Sequence, residues 1–152
     1  MRKGRFAVSE RGQSMIEVAL LLPLLVFVVL AGADLARAFA IQLAVQNGAR
    51  AGAEAAAIDF SPTVAEAIAR ATDEMSRTPA LRTSDPSMNI TVSFKKGDGV
   101  TDCAGSTDPT PADPCWVTVS VQYTFRTVTA WPLIPNTANF DRSTTMRTIK
   151  NP

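Results

Sequence analysis

Three residues of this chain have types and places that could do chemistry: Glu17, Cys103 and Cys115. Glu17 is the only charge among residues 15–33, a run of 19 residues. A charge in hydrocarbon costs about 3 kcal/mol at a helix centre and less near the interface, so this acid needs a partner. One account is local: Ser14 three residues earlier completes an S-x-x-E capping box, with Glu17 closing the first helical turn. The two cysteines are the chain's only ones and share one loop, "KGDGVTDCAGSTDPTPADPC". Beyond a membrane an even pair in one loop reads as a disulfide, with two unpaired buried thiols as the alternative.

The same loop carries Asp98, Asp102, Asp108 and Asp113. They lack the D-x-D-x-D-G spacing of a calcium loop, so they read as solvated turn residues and no metal is expected. The Asn-Ile-Thr at 89–91 fits a glycosylation acceptor, a match common by chance. There is no histidine, which removes the commonest acid–base group and a usual zinc ligand. No nucleophile–base pair, metal spacing or phosphate loop rises above chance. The chain reads as a non-enzyme without a cofactor.

These residues must be held by elements that 152 residues can build: one domain plus an anchor. Overall charge is nearly balanced, 15 basic against 14 acidic, and gives no reason to expect nucleic acid. The distribution is uneven. Residues 1–12 hold Arg2, Lys3, Arg5 and Arg11 against Glu10, a net +3, leaving −2 for the rest. A basic end before an apolar run keeps that end in the cytoplasm. As a helix, residues 15–33 cover about 29 Å, close to the hydrocarbon thickness. Pro23 lies inside, where spanning helices tolerate proline, and a kink is expected there.

Three readings of this segment compete. Ala31, Gly32 and Ala33 supply an A-x-A signal-peptide site that would free a chain beginning at Asp34, although the run is longer than a usual h-region. The segment could instead be a plain single-pass anchor. In the third reading "GQSMIE" places Gly12 five residues before Glu17, between a basic leader and an apolar helix.

That arrangement resembles a type IV prepilin processing site. The resemblance implies that a membrane-embedded prepilin peptidase cuts between Gly12 and Gln13, so that Glu17 becomes the fifth mature residue. Glycine allows close backbone approach to a proteolytic centre. The new ammonium at Gln13 then offers a partner for a Glu17 carboxylate in a low-dielectric stack of helices, which selects subunits packed with one axial offset. The wider stretch "RGQSMIEVALLLPLLVFVVLAGADLARAFAIQLAVQNGARAGAEAAA" is similar to the TadE-like family of pseudopilins. Arg11, Gly12, Glu17, Pro23, Asp34 and the segment "NGARAGA" at 47–53 occupy the places of that family's pattern. Members often carry tyrosine after the glutamate, where this chain has Val18.

From Asp34 to Ala57 there is no proline and much alanine, so the helix should continue beyond the membrane. Residues 13–57 would reach about 67 Å. Leu35, Phe39 and Leu43 share one line, with Ile41 and Val45 on another side, so neighbours are expected on more than one face. Gly48 and Gly52 form a G-x-x-x-G pair that reads as tight packing onto the domain, or else as a dimer contact. Ser61 and Pro62 are expected to cap and open a second helix, with Val64, Ile68 and Met75 on its apolar side. Glu66–Arg70 and Arg70–Glu74 are i, i+4 pairs, and Pro79 ends the helix. Ile90, Val92 and Phe94 alternate with polar residues, and "WVTVSVQYTFR" does so for longer. "STTMRTI" is a weaker third strand.

The expected fold is therefore α+β: a long N-terminal transmembrane helix extended beyond the membrane, a second short helix, and a small antiparallel β-sheet with a disulfide loop. The expected organisation is a leader over 1–12, a transmembrane and stem helix over 13–57, and an extracytoplasmic domain over 58–152. The resemblance implies a minor pilin-like subunit in assembly of a tight-adherence (Flp) pilus or related secretion system. Its partners would be a prepilin peptidase, other pilins and pseudopilins, an inner-membrane assembly platform and membrane lipid. The N-terminus would be cytoplasmic and the C-terminal domain periplasmic or at the cell surface. A secreted or anchored binding domain without a pilus role is the alternative.

Overall fold

A computed structural model of the chain describes residues 10–103, 108–132 and 134–152. The expected leader falls mostly on residues 1–9, outside the described residues. Two helices and three strands follow in the order α1 (Glu10–Ile58), α2 (Val64–Ser76), β1 (Asn89–Lys96), β2 (Cys115–Arg126) and β3 (Thr137–Arg147). The strands form one antiparallel sheet with β2 in the centre. The α+β architecture, the long apolar helix, the short second helix and the bonded loop are all as the sequence predicts.

α1 has 49 residues and continues through Pro23, so at about 1.5 Å per residue it runs some 73 Å. Its two parts differ in what they bury. Residues 13–33 are exposed throughout. Beyond them Ile41, Ala44, Val45, Ala49, Ala53 and Ala56 are buried, at spacings of three and four that put them on one stripe. This stripe packs against the inward face of β2, where Val117, Val119, Val121, Tyr123 and Phe125 are buried. Full burial of a valine contributes about 1.5–3 kcal/mol, so β2 is the main apolar support of the stem.

α2 crosses α1 through small residues. A Cβ on Gly52 would lie 2.8 Å from the Ala67 carbonyl oxygen, and one on Gly48 would lie 2.5 Å from Met75 Cγ. The G-x-x-x-G pair is therefore a crossing point within the chain. The buried line of α2 is Ala67, Ala71 and Met75, whereas Val64, expected inside, is 45% exposed. At Gly52 the close approach suits Ala67 and Ala71, and at Gly48 the missing side chain makes room for Met75.

Three further expectations need correction. The cap of α2 is Thr63, not Ser61: its hydroxyl accepts from the Glu66 N–H at 3.2 Å. Ser61 is drawn into a turn, its N–H donating to Asp59 Oδ1 at 3.1 Å, and Pro62 is buried outside the helix. The close ion pairs at the end of α2 join Arg77 to Asp73 and Glu74, while Arg70 acts on Glu66 as a nearby charge and not in a close pair. Finally, β3 begins at Thr137 and ends at Arg147, paired along β2 from Arg126↔Thr137 to Trp116↔Arg147. Its first half, "TANFDR", lacks apolar alternation, so pairing with β2 and not intrinsic preference makes it a strand.

Candidate functional site

At the membrane end of α1, Gln13 Nε2 donates to Glu17 Oε1 at 3.3 Å, and both side chains are exposed. The two residues stand one helical turn apart. Ser14 does not cap anything, since α1 already begins at Glu10; the capping-box account of Glu17 fails because the helix extends past both residues. Among the described residues Glu17 is held by the neighbouring amide, at the start of a helical surface that they leave bare. That apolar surface is a candidate membrane span by length and composition. It continues beyond residue 33 as the line Leu35, Phe39 and Leu43, at 72%, 67% and 48% exposure. The domain covers the Ile41–Val45 side and leaves this line open.

Asp34, by contrast, is 6% exposed. Its Oδ1 accepts from the Val128 N–H at 3.0 Å and from Arg37 Nη1 at 3.2 Å. Its Oδ2 accepts from the Thr129 N–H at 3.2 Å and from Trp131 Nε1 at 3.1 Å. The Arg37 guanidinium also lies 5.7 Å from the Phe125 ring centroid. One carboxylate therefore ties the β2–β3 connection to the helix where the apolar run ends. The sequence placed Asp34 as an acid following the span. Apart from Arg37 on the same helix, its partners lie almost a hundred residues away and carried no signal except a Trp-Pro pair in a turn-rich segment.

The "NGARAGA" segment divides by face. Gly48, Ala49, Gly52 and Ala53 are buried, while Asn47 and Arg50 are exposed. The latter line a shallow groove of about 370 Å³ with Glu54, Ile58, Arg70 and Glu74. Its opposite charges are mixed, and no nucleophile stands among these residues.

Cys103 and Cys115 are bonded, with Cα atoms 5.9 Å apart, so the unpaired-thiol alternative is set aside. Closing this short loop contributes roughly 3 kcal/mol in the chain-entropy model. The Cys103 N–H donates to the Phe94 carbonyl at 3.1 Å, laying the first limb of the loop along β1. The aspartates are turn and ion-pair residues. Asp98 accepts from the Thr101 hydroxyl and from the Val100 and Thr101 N–H groups. Those bonds, the hydroxyl first, hold its carboxyl down at about 2. Asp102 pairs with Lys95, Asp113 with Lys96 and Asp108 with Lys150. Among the described residues no group of three or more His, Cys, Asp or Glu could hold a metal ion.

Residues 12–54 match the family model described as TadE-like protein. The resemblance read from the sequence holds over this stretch, which starts at Gly12 and runs through the apolar surface, Asp34 and the glycine crossing. The family is in general pilus-related and non-enzymatic. No curated protein and no solved structure matches the chain.

Proposed function

We propose that this chain is a minor pilin-like, pseudopilin subunit, trimmed by a prepilin peptidase after Gly12 and used in assembling a tight-adherence (Flp) pilus or related secretion system. The observation that carries this reading is the family match over 12–54. It falls on a helix whose first half is apolar and bare and whose second half is built into a folded domain. Such a subunit has its stem in the bilayer, its basic end in the cytoplasm and its domain outside, in the periplasm or at the cell surface. Its partners are other pilins and pseudopilins, the inner-membrane assembly platform and lipid.

The roles of the residues follow. Gly12 gives the peptidase access to the backbone, and Gln13 becomes the new amino terminus. An ammonium there stands one turn from Glu17 of its own helix, where the Gln13 amide now donates. In a stack of stems with an axial offset, the same ammonium meets Glu17 of a neighbour. The carboxylate loses its water to the surrounding apolar side chains and gains a cation, and a subunit in the wrong register gets the desolvation without the pairing. The exposed line at Leu35, Phe39 and Leu43 lets the packing continue above the membrane.

Processing is tested by Gly12→Leu expressed with the peptidase. The variant should accumulate as a full-length, membrane-bound precursor while the wild type is trimmed. Equal trimming of the two would contradict the prepilin reading.

A further inference from the structure

The connection between β2 and β3, residues 127–136, reads "TVTAWPLIPN" and carries no charge. Two of its apolar side chains stand outside the core: Val128 is 77% and Ile134 63% exposed. Its neck is braced internally. The Thr127 N–H donates to the Asn136 carbonyl at 3.0 Å, and the Trp131 N–H donates to Asn136 Oδ1 at 2.7 Å. Pro132 and Pro135 add no backbone donors.

The segment is also aimed. Asp34 fixes its backbone at Val128 and Thr129, and from there Trp131 turns back along α1 towards the membrane end. Its ring centroid lies 6.2 Å from that of Phe27. Phe27 is seven residues before Asp34, about 10 Å lower along the helix axis, and belongs to the bare apolar surface. Trp131 thus stands level with the last turns of the candidate span, while the sheet and α2 pack on the opposite side of Asp34.

We propose that this connection is a second membrane contact: Val128, Trp131 and Ile134 insert into the interfacial layer of the bilayer that α1 crosses, on the domain's side. This rests on the reading of α1 as a span. The occupant is lipid because the patch is continuous with the span, uncharged, and headed by a tryptophan, whose large apolar ring suits the headgroup boundary once its single N–H is satisfied. That N–H is already given to Asp34, whose carboxylate is in turn shielded by four donors. The acid can therefore stand at the membrane edge without a bare charge. With helix and loop both seated, the domain is fixed in tilt and rotation against the bilayer before any other subunit is met.

The test uses the full chain in phosphatidylcholine–phosphatidylglycerol vesicles. Trp116→Phe leaves Trp131 as the only tryptophan; Trp131→Phe leaves Trp116, which lies near the start of β2, about 33 Å along the strand from the Arg126 end where the connection leaves. A third variant carries Phe27→Trp with both native tryptophans replaced by phenylalanine, and reports on the span. The expected result is a blue-shifted Trp131 emission, quenched more by lipids labelled near the carbonyl than by deeply labelled lipids or aqueous iodide. Trp116 should respond to iodide alone. If the probe at position 27 is quenched by lipid and Trp131 only by iodide, the loop contact is refuted while the span stands. If neither is quenched by lipid, both are refuted. Shielding of Trp131 from every quencher only at high protein-to-lipid ratio would assign the patch to a second copy of the chain and overturn the proposal.

Discussion

Two acids of α1 show how differently one residue type is used. Asp34 is committed within the chain to four donors, whereas among the described residues Glu17 has one amide and is otherwise exposed. An acid left open at the head of an apolar surface is available to something outside the chain. Glu17→Gln should therefore leave folding, membrane insertion and trimming intact. Its assembly, read as crosslinking to other pilins or as surface pili, should fall at least about tenfold. Leaving one charge of a buried pair alone costs more than the ~1.4 kcal/mol which that factor represents. A second residue-scale prediction concerns pH. The Asp98 carboxyl is lowered from 3.8 to about 2 by the Thr101 hydroxyl and the two N–H groups. A lowered carboxyl contributes stability that is whole above 3.8 and fades as pH falls through about 2. The side-chain carbon signal of Asp98 should titrate in that window, and Thr101→Val should move the midpoint upward. Glu17 stood out in the sequence because it broke an apolar run. Most of the acceptor role of Asp34 was hidden because three of its four donors are backbone groups and an indole from another element.

At the scale of elements, the crossing of α1 and α2 gives a prediction that intrinsic preference would reverse. In an exposed helix interior Gly→Ala gains up to about 1 kcal/mol. Here Gly52→Ala drives a methyl to 2.8 Å from the Ala67 carbonyl, a rigid backbone atom, and 3.1 Å from the Ala71 methyl. It should cost about 1–3 kcal/mol as overpacking, seen as a lower midpoint in thermal or urea unfolding. Gly48→Ala puts a methyl 2.5 Å from Cγ of the buried Met75 and 3.2 Å from the Ala71 carbonyl oxygen, and should destabilise in the same way. The elements themselves were legible where a single residue pattern decides them. Alternation marked β2, and the apolar, alanine-rich, proline-poor stretch marked α1. They were not legible where a partner decides: β3 gains its first six residues from the β2 ladder. The start of α2 shifted because Asp59 captures Ser61 and leaves the capping to Thr63.

At the scale of the whole molecule, α1 is at once the bare apolar stem and a core helix of the domain, so the two cannot move independently. In the proposed subunit, force or register set in the bilayer would be delivered directly to the sheet. The division is visible in composition: residues 18–33 of α1 carry no charge, whereas Asp34, Arg37, Arg50 and Glu54 follow in its upper part. What composition could not tell is which side of the upper helix the sheet would cover. That depended on small residues at 44, 49, 53 and 56 fitting the valines of β2. The account stands or falls on the mature amino terminus of the native protein, isolated from cells that contain the prepilin peptidase and read by terminal sequencing or intact mass. It predicts a chain beginning at Gln13, with Glu17 fifth and the whole apolar helix retained; a chain beginning at Asp34, or one still carrying Met1, would contradict it.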